Sequence, residues 1–198
     1  MQKSPQKTTG NVVNRAVAAA KEMVLLKINN SILKIFMKIY EMLASHWEPV
    51  KQIYKEGIDS GNATFQKSIP TWDEWDLAHE KKCRLVALEG ETLLGWAALT
   101  PLSSRCVYAG VGEVSVYVAS AARGKGIGRQ LLQELITDSE KNNFWTLQAG
   151  IFPENAASIK IHVDCGFRII GTREKIGEMG GVWRDTLLLE RRSKITGI

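Results

Sequence analysis

Seven consecutive residues, Arg123, Gly124, Lys125, Gly126, Ile127, Gly128 and Arg129, carry the densest chemical signal in the 198-residue chain. Three glycines at alternate positions let the backbone turn closely and present several N–H groups. The periodicity of Leu131, Leu132, Leu135 and Ile136 predicts a helix over 130–141 directly behind them. The loop therefore opens onto the positive end of a helix dipole, which suits a phosphate or pyrophosphate. Spacing excludes two nucleotide motifs: Gly124-Lys125 is followed by Gly126 where a P-loop needs Ser or Thr, and GKGIG is not GxGxxG. Lys125 and Arg129 either add charge at this site or stand as solvated surface bases.

Other candidates flank the loop. Glu113 opens the β-branched run that leads into it, and reads either as a proton acceptor or as a solvated strand-end carboxylate. Asn155 reads as a helix cap, with Ser158 one turn on and His162 one turn further. Arg105 and Tyr108 lie in the loop before Glu113, where an arginine fork suits a carboxylate and a plain surface arginine is the alternative.

The elements that must position these residues follow from pattern. A strand is predicted over 37–43, then a helix capped by Ser45 with Trp47, Val50, Ile53, Tyr54 and Ile58 at helical spacing, ending at residues 60–62. Residues 63–66 read as a short extended piece. Thr71 and Glu74 form a capping box for a helix to about Lys82, with Trp72, Trp75 and Leu77 available for burial. A hairpin is expected from 84–88 and 93–99 across Gly90, then a loop over 101–112 and the central strand over 112–120. Beyond the central helix come a strand over 144–151, a short helix ending at 165–167, and two strands over 168–174 and 182–191 joined across 177–181. One mixed sheet flanked by helices accounts for this order.

Composition narrows the function. Cys83, Cys106 and Cys165 are odd in number and lack CxxC or His spacing, so neither a disulfide framework nor a metal site is expected, and a cytoplasmic location is the simplest reading. The net charge of +5 is concentrated: residues 1–36 hold six basic side chains and one acidic, leaving 20 of each in the rest. A neutral body argues against nucleic acid as a partner. Residues 1–36 are expected to be a basic extension, with a possible amphipathic helix over 12–23 and Met37 as an alternative start; a transit peptide or a membrane-surface helix are the other readings. Lys21, Glu22 and Lys27 interrupt any apolar run, so no membrane span or membrane partner is expected.

From about Met37 to Arg192 the chain resembles the phosphinothricin and methionine sulfoximine or sulfone acetyltransferase branch of the GNAT superfamily. Four pieces carry the resemblance in order: Trp47 with Ile53-Tyr54 and Gly57-Ile58; Glu113 to Val118; Asn155 with Ser158, His162 and Gly166-Phe167; and Gly181, Trp183 and Asp185. The pattern Arg123, Gly126, Gly128 agrees with the pyrophosphate loop of that superfamily. The resemblance implies an α/β (α+β) GNAT fold with a mixed, mostly antiparallel sheet, and direct acetyl transfer from acetyl-coenzyme A to a small amino-acid-like amine, with no metal. Glu113 would then take the amine proton, because a free amino group is mostly protonated near pH 7. Val116, Tyr117 and Val118 would meet the pantetheine arm through their backbone, residues 123–129 would hold the pyrophosphate, and Asn155 and Ser158 would touch the cofactor. His162 would donate a proton to the thiolate, touch the substrate or simply pack, and Arg105 and Tyr108 would contact the substrate. A homodimer is implied as well. Acetylation of a protein N-terminus or lysine, a non-catalytic coenzyme A sensor, and an adaptor driven by residues 1–36 are the alternatives.

Overall fold

The computed structural model describes residues 37–198, together with residue 17 and residues 21–23, which are helical. The rest of the helix expected over 12–23 lies outside the described residues. In chain order the elements are β1 (Met37–Glu41), α1 (Trp47–Asp59), α2 (Trp72–Ala78), β2 (Arg84–Glu89), β3 (Thr92–Pro101), β4 (Val111–Val118), α3 (Ile127–Lys141), β5 (Thr146–Ile151), α4 (Ala156–Asp164), β6 (Arg168–Met179) and β7 (Val182–Arg192). The seven strands form one sheet in the order β1-β2-β3-β4-β5-β7-β6. The β2–β3, β3–β4, β5–β7 and β6–β7 pairs are antiparallel, and β4–β5 is parallel.

Side-chain alternation divides the core into two layers. On one face Trp96 of β3 stacks on Tyr117 of β4 at 4.6 Å, and Trp47, Tyr54 and Trp75 from α1 and α2 close over them. On the other face Leu131, Leu132 and Leu135 of α3 are fully buried, with Leu131 against Gly95 and Leu99 against Gly112. The heptad-like spacing of α3 thus buries one stripe, as expected for a helix laid across a sheet.

Several local expectations change. The first helix is not capped by Ser45: a 3-10 turn, Ala44–His46, precedes it, and His46 Nδ1 accepts from Leu43 N (3.1 Å). The Thr71–Glu74 capping box is present, but α2 stops at Ala78 rather than near Lys82, because His79 is extended and Arg84 draws the carbonyls of Asp76, His79 and Glu80 to its guanidinium. With the helix this short, Leu77 points outward, 87% exposed, instead of being buried. Residues 63–66 form no strand; side-chain contacts replace a ladder there, with Gln66 N donating to Thr64 Oγ1 and Phe65 set edge-on to Phe152. Strand β6 runs on to Met179 through a bulge at residues 173–177, where Lys175 N donates to Asp185 Oδ1 (2.7 Å). Asp185 therefore stabilises a bend in the closing hairpin.

Helix α1 lies against the sheet at Gly57. A Cβ placed there would come within 2.6 Å of Tyr117 Cε1. Replacing Gly57 with Ala is expected to displace that ring and lower the unfolding free energy by about 1–3 kcal/mol, read as a lowered denaturant midpoint; an unchanged midpoint would contradict this packing.

Candidate active site

The parallel pairing of β4 with β5 runs from Val111↔Thr146 to Glu113↔Gln148 and ends there. Beyond that point β4 continues to Val118 paired only with β3, while β5 continues to Ile151 paired with β7. The two central strands part, leaving one edge of residues 114–118 without a strand partner. A groove of about 1030 Å³ occupies the parting. Backbone N–H and C=O groups there are aligned to bond an extended chain laid alongside.

One end of the groove is the glycine loop. Gly124 and Gly126 take φ of 77° and 80°, a left-handed conformation open to glycine at little cost, and Gly126 is the N-cap of α3. The first N–H groups of α3 have no intrahelical acceptor and no acidic residue stands in its first turn. Arg123, Gly124, Gly126, Ile127, Gly128 and Arg129 line the groove, whereas Lys125 is exposed outside the lining. The entry to the loop is tied to α1: Glu56 Oε2 accepts from both Ser120 N (2.7 Å) and Ser120 Oγ (2.8 Å). These donors and cations fit a pyrophosphate.

At the other end stands Glu113. Its side chain is exposed, and its Oε1 would lie 3.4 Å from a Cβ built on Gly150. Strand alternation puts Glu113, Ser115 and Tyr117 on the α1–α2 face and directs Val116 and Val118 toward Gly128 of α3. The lining also includes Thr100, which is the β3 partner of Glu113, and His79, Tyr54, Thr64 and Phe65. Burial pushes the Tyr117 and Tyr54 phenols up, opposed by the Thr64 hydroxyl. Burial lowers His79, with the Trp75 carbonyl opposing it.

Helix α4 forms the facing lip. Asn155 caps it, its Oδ1 accepting from Ser158 N (3.1 Å), while Asn155 Nδ2 donates to Asn62 O (3.0 Å) across the groove mouth. Arg184 secures the same segment, donating to Gly61 O (2.6 Å) and Asn62 Oδ1 (3.3 Å). His162 is 3% exposed; its Nδ1 lies 2.8 Å from Ser158 O and its Nε2 has no partner. Facing a carbonyl, Nδ1 carries the proton, so the neutral ring offers Nε2 as an acceptor. Burial lowers the His162 pKa, the Ser158 carbonyl opposing.

The structure thus brings together Glu113, residues 116–118, the loop, Asn155, Ser158 and His162. It does not bring Arg105 and Tyr108 to them: these sit in the 3-10 turn before β4, the guanidinium 5.4 Å from the Tyr108 ring centroid, outside the lining. None of the three cysteines lines the groove. Sequence reasoning missed Ser115 and the Tyr117 side chain, although their alternation with Glu113 signalled a shared face. It also missed His79 and Thr100, which had no local signal.

Comparison with known proteins identifies the family. Residues 38–167 match the model of the acetyltransferase (GNAT) family. The chain is 33% identical over 152 residues to a phosphinothricin N-acetyltransferase of Alcaligenes faecalis, covering 72% of this chain and 75% of that one. Among solved structures it is similar to a GNAT superfamily phosphinothricin acetyltransferase from Sinorhizobium meliloti in complex with acetyl-CoA (TM-score 0.74, 27% identity, 82% and 91% of the two chains). It is also similar to a ribosomal-protein-alanine N-acetyltransferase from Brucella melitensis (TM-score 0.73, 30% identity, 79% and 99%).

Buried His162 and half-buried His79 set a pH dependence. His79 and His162 have lowered pKa values in the fold, so the unfolded chain binds more protons as pH falls through the ordinary histidine value. Their stabilisation is complete above about pH 6.5 and is lost as pH falls through the folded values. Thermal unfolding is expected at lower temperature at pH 5.5 than at pH 7.5, with a smaller difference in His162→Gln; an equal pH dependence in the two proteins would contradict the assignment.

Proposed function

The chain belongs to the GNAT acetyltransferase family and is an acetyl-CoA-dependent N-acetyltransferase, and from that premise we propose that it acetylates the amine of a small amino-acid-like substrate, of the phosphinothricin, methionine sulfoximine or sulfone type, at the point where β4 and β5 part. The observation that carries the reading is the end of the β4–β5 register at Glu113, which sets a carboxylate and an unpaired strand edge at one place. The pantetheine arm of acetyl-CoA lies along residues 116–118, and the pyrophosphate rests on the N–H groups of 124–129 with Arg123 and Arg129. The amine nitrogen attacks the thioester carbonyl, the C–N bond forms, the C–S bond breaks, and the departing thiolate takes up a proton. Glu113 accepts the amine proton, directly or through water. His162 serves as a hydrogen-bond acceptor in the wall, since a proton at Nε2 would have to charge a buried ring.

Residues 37–198 make up the catalytic domain in this reading, with 1–36 as an appended basic extension, and the protein works in the cytoplasm without nucleic acid or membrane as partner. No helix among the described residues is long and apolar enough to cross a membrane. A homodimer is part of the proposal. Support comes from the β6–β7 hairpin, where Ile169, Ile176, Val182 and Trp183 are all more than half exposed on an edge of the sheet. A second reading, acetylation of a protein N-terminus, is favoured by the likeness to the Brucella structure.

Thiol release from acetyl-CoA, measured with phosphinothricin, methionine sulfone, methionine sulfoximine and polyamines, tests the substrate class. One amino-acid analogue is expected to be turned over, and Glu113→Gln to lower its kcat/KM at pH 7 about 100-fold. Turnover of an N-terminal peptide with no small amine accepted would transfer the conclusion to the second reading, and full activity of the variant would remove Glu113 as the base. Light scattering is expected to show a dimer for the full chain and a monomer for Trp183→Asp; a monomeric wild type would contradict the assembly.

A further inference from the structure

Helix α2 is held with more hydrogen bonds than its seven residues need. Arg84, buried at the head of β2, donates to the carbonyls of Asp76 (2.8 Å), His79 (2.7 Å) and Glu80 (2.5 Å), and pairs with the Asp76 carboxylate. Its guanidinium also lies 5.2 Å from the Trp75 ring centroid. The next residue is fixed to the sheet, Glu80 N donating to Leu99 O (2.8 Å). Leu99 precedes Thr100, and Thr100 is the register partner of Glu113. His79 thus immediately precedes the residue anchored to β3 next to Thr100, and His79, Thr100 and Glu113 all line the groove.

The imidazole is fixed as firmly as the backbone. It stacks on Trp75 with centroids 3.9 Å apart and planes 16° from parallel, and its Nδ1 lies 2.7 Å from the Trp75 carbonyl. Trp75 in turn packs against Trp96, and Trp96 against Tyr117, so the ring rests on the same aromatic block as β4. A nitrogen facing a carbonyl oxygen carries the proton, which leaves Nε2 of the neutral ring as a bare acceptor. Burial disfavours a second proton on the ring and outweighs the Trp75 carbonyl and the Asp76 carboxylate, which favour one; the Arg84 guanidinium acts in the same direction as burial.

We propose that His79 is a substrate-binding residue, its Nε2 accepting a hydrogen bond from an N–H of the acceptor amine beside the carboxylate of Glu113. The proposal rests on the reading that the amine docks at Glu113. A carboxylate alone binds an ammonium from any direction and loses its hold once it has taken the proton. A second, neutral acceptor keeps the nitrogen in place by an N–H that is not transferred. Arg84 and Trp75 are then positioning residues, which accounts for a buried guanidinium devoted to the end of a seven-residue helix.

Steady-state kinetics on the full chain test the assignment. His79→Asn keeps a donor near the Nδ1 position and removes the Nε2 acceptor, whereas His79→Gln carries its amide out to the Nε2 position. His79→Asn is expected to raise KM for the amine about tenfold with KM for acetyl-CoA changed less than about twofold, and His79→Gln to recover most of the loss. His79→Phe, which keeps the stack on Trp75 without any nitrogen, is expected to match the Asn variant and guards against a folding defect in it. Unchanged amine KM in both the Asn and Phe variants would overturn the proposal, as would a parallel rise in both KM values, which marks a structural role. If wild type turns over small amines in either case, only the His79 assignment falls; if it turns over none, the reading on which it rests falls with it.

Discussion

Everything in this molecule depends on the failure of two neighbouring strands to stay paired. A sheet whose central parallel pair ends after Glu113 leaves a row of backbone N–H and C=O groups on Val114–Val118 with no ladder partner, and such groups are costly unless something polar meets them. The protein keeps the parting open from both sides. Helix α4 holds one lip through the Asn155 cap, and the segment between α1 and α2 holds the other, clasped by Asn155 and Arg184. The opening is built in, and the groove is its consequence.

Each end of that groove answers a different chemical demand. At the loop, left-handed glycines and the start of α3 offer fixed N–H donors to an anion, and Glu56 ties the approach to the loop to α1. At Glu113 the proposed acetyl transfer demands a proton acceptor beside a rigid wall. The wall is aromatic: Trp75, Trp96, Tyr54 and Tyr117 make edge and stacked contacts at 4.6–5.8 Å, and the polar groups facing the groove are mounted on them. Such a block loses little conformational freedom on binding, which preserves affinity for a small ligand.

What could be read from the sequence was local. The glycine loop, the stripe of α3, the Thr71–Glu74 box and the valine run of β4 each obey a rule that acts within one turn or one strand. The resemblance to a family then supplied the expectation that the backbone of Val116, Tyr117 and Val118 is free to meet a ligand, which no local pattern encodes because it depends on where a partner strand goes. Tertiary contacts decided the rest. Leu77 is apolar and helical yet exposed, because Arg84 ends α2 one turn early. His79 carried no motif, and its importance comes from Leu99 and Thr100, twenty residues away. Arg105 and Tyr108 have suitable chemistry for a substrate carboxylate, and no local pattern shows that their turn sets the guanidinium 5.4 Å from the Tyr108 ring centroid, outside the groove lining.

In the proposed reaction an acyl-CoA arm completes the unpaired edge of β4. Residue-resolved amide hydrogen exchange, with and without acetyl-CoA, tests it most directly. The account predicts slower exchange on binding at groove-facing amides within 114–118 and at 124–129, with the amides already paired to β3 little changed. Protection confined to other parts of the chain, with 114–118 exchanging as before, would contradict it.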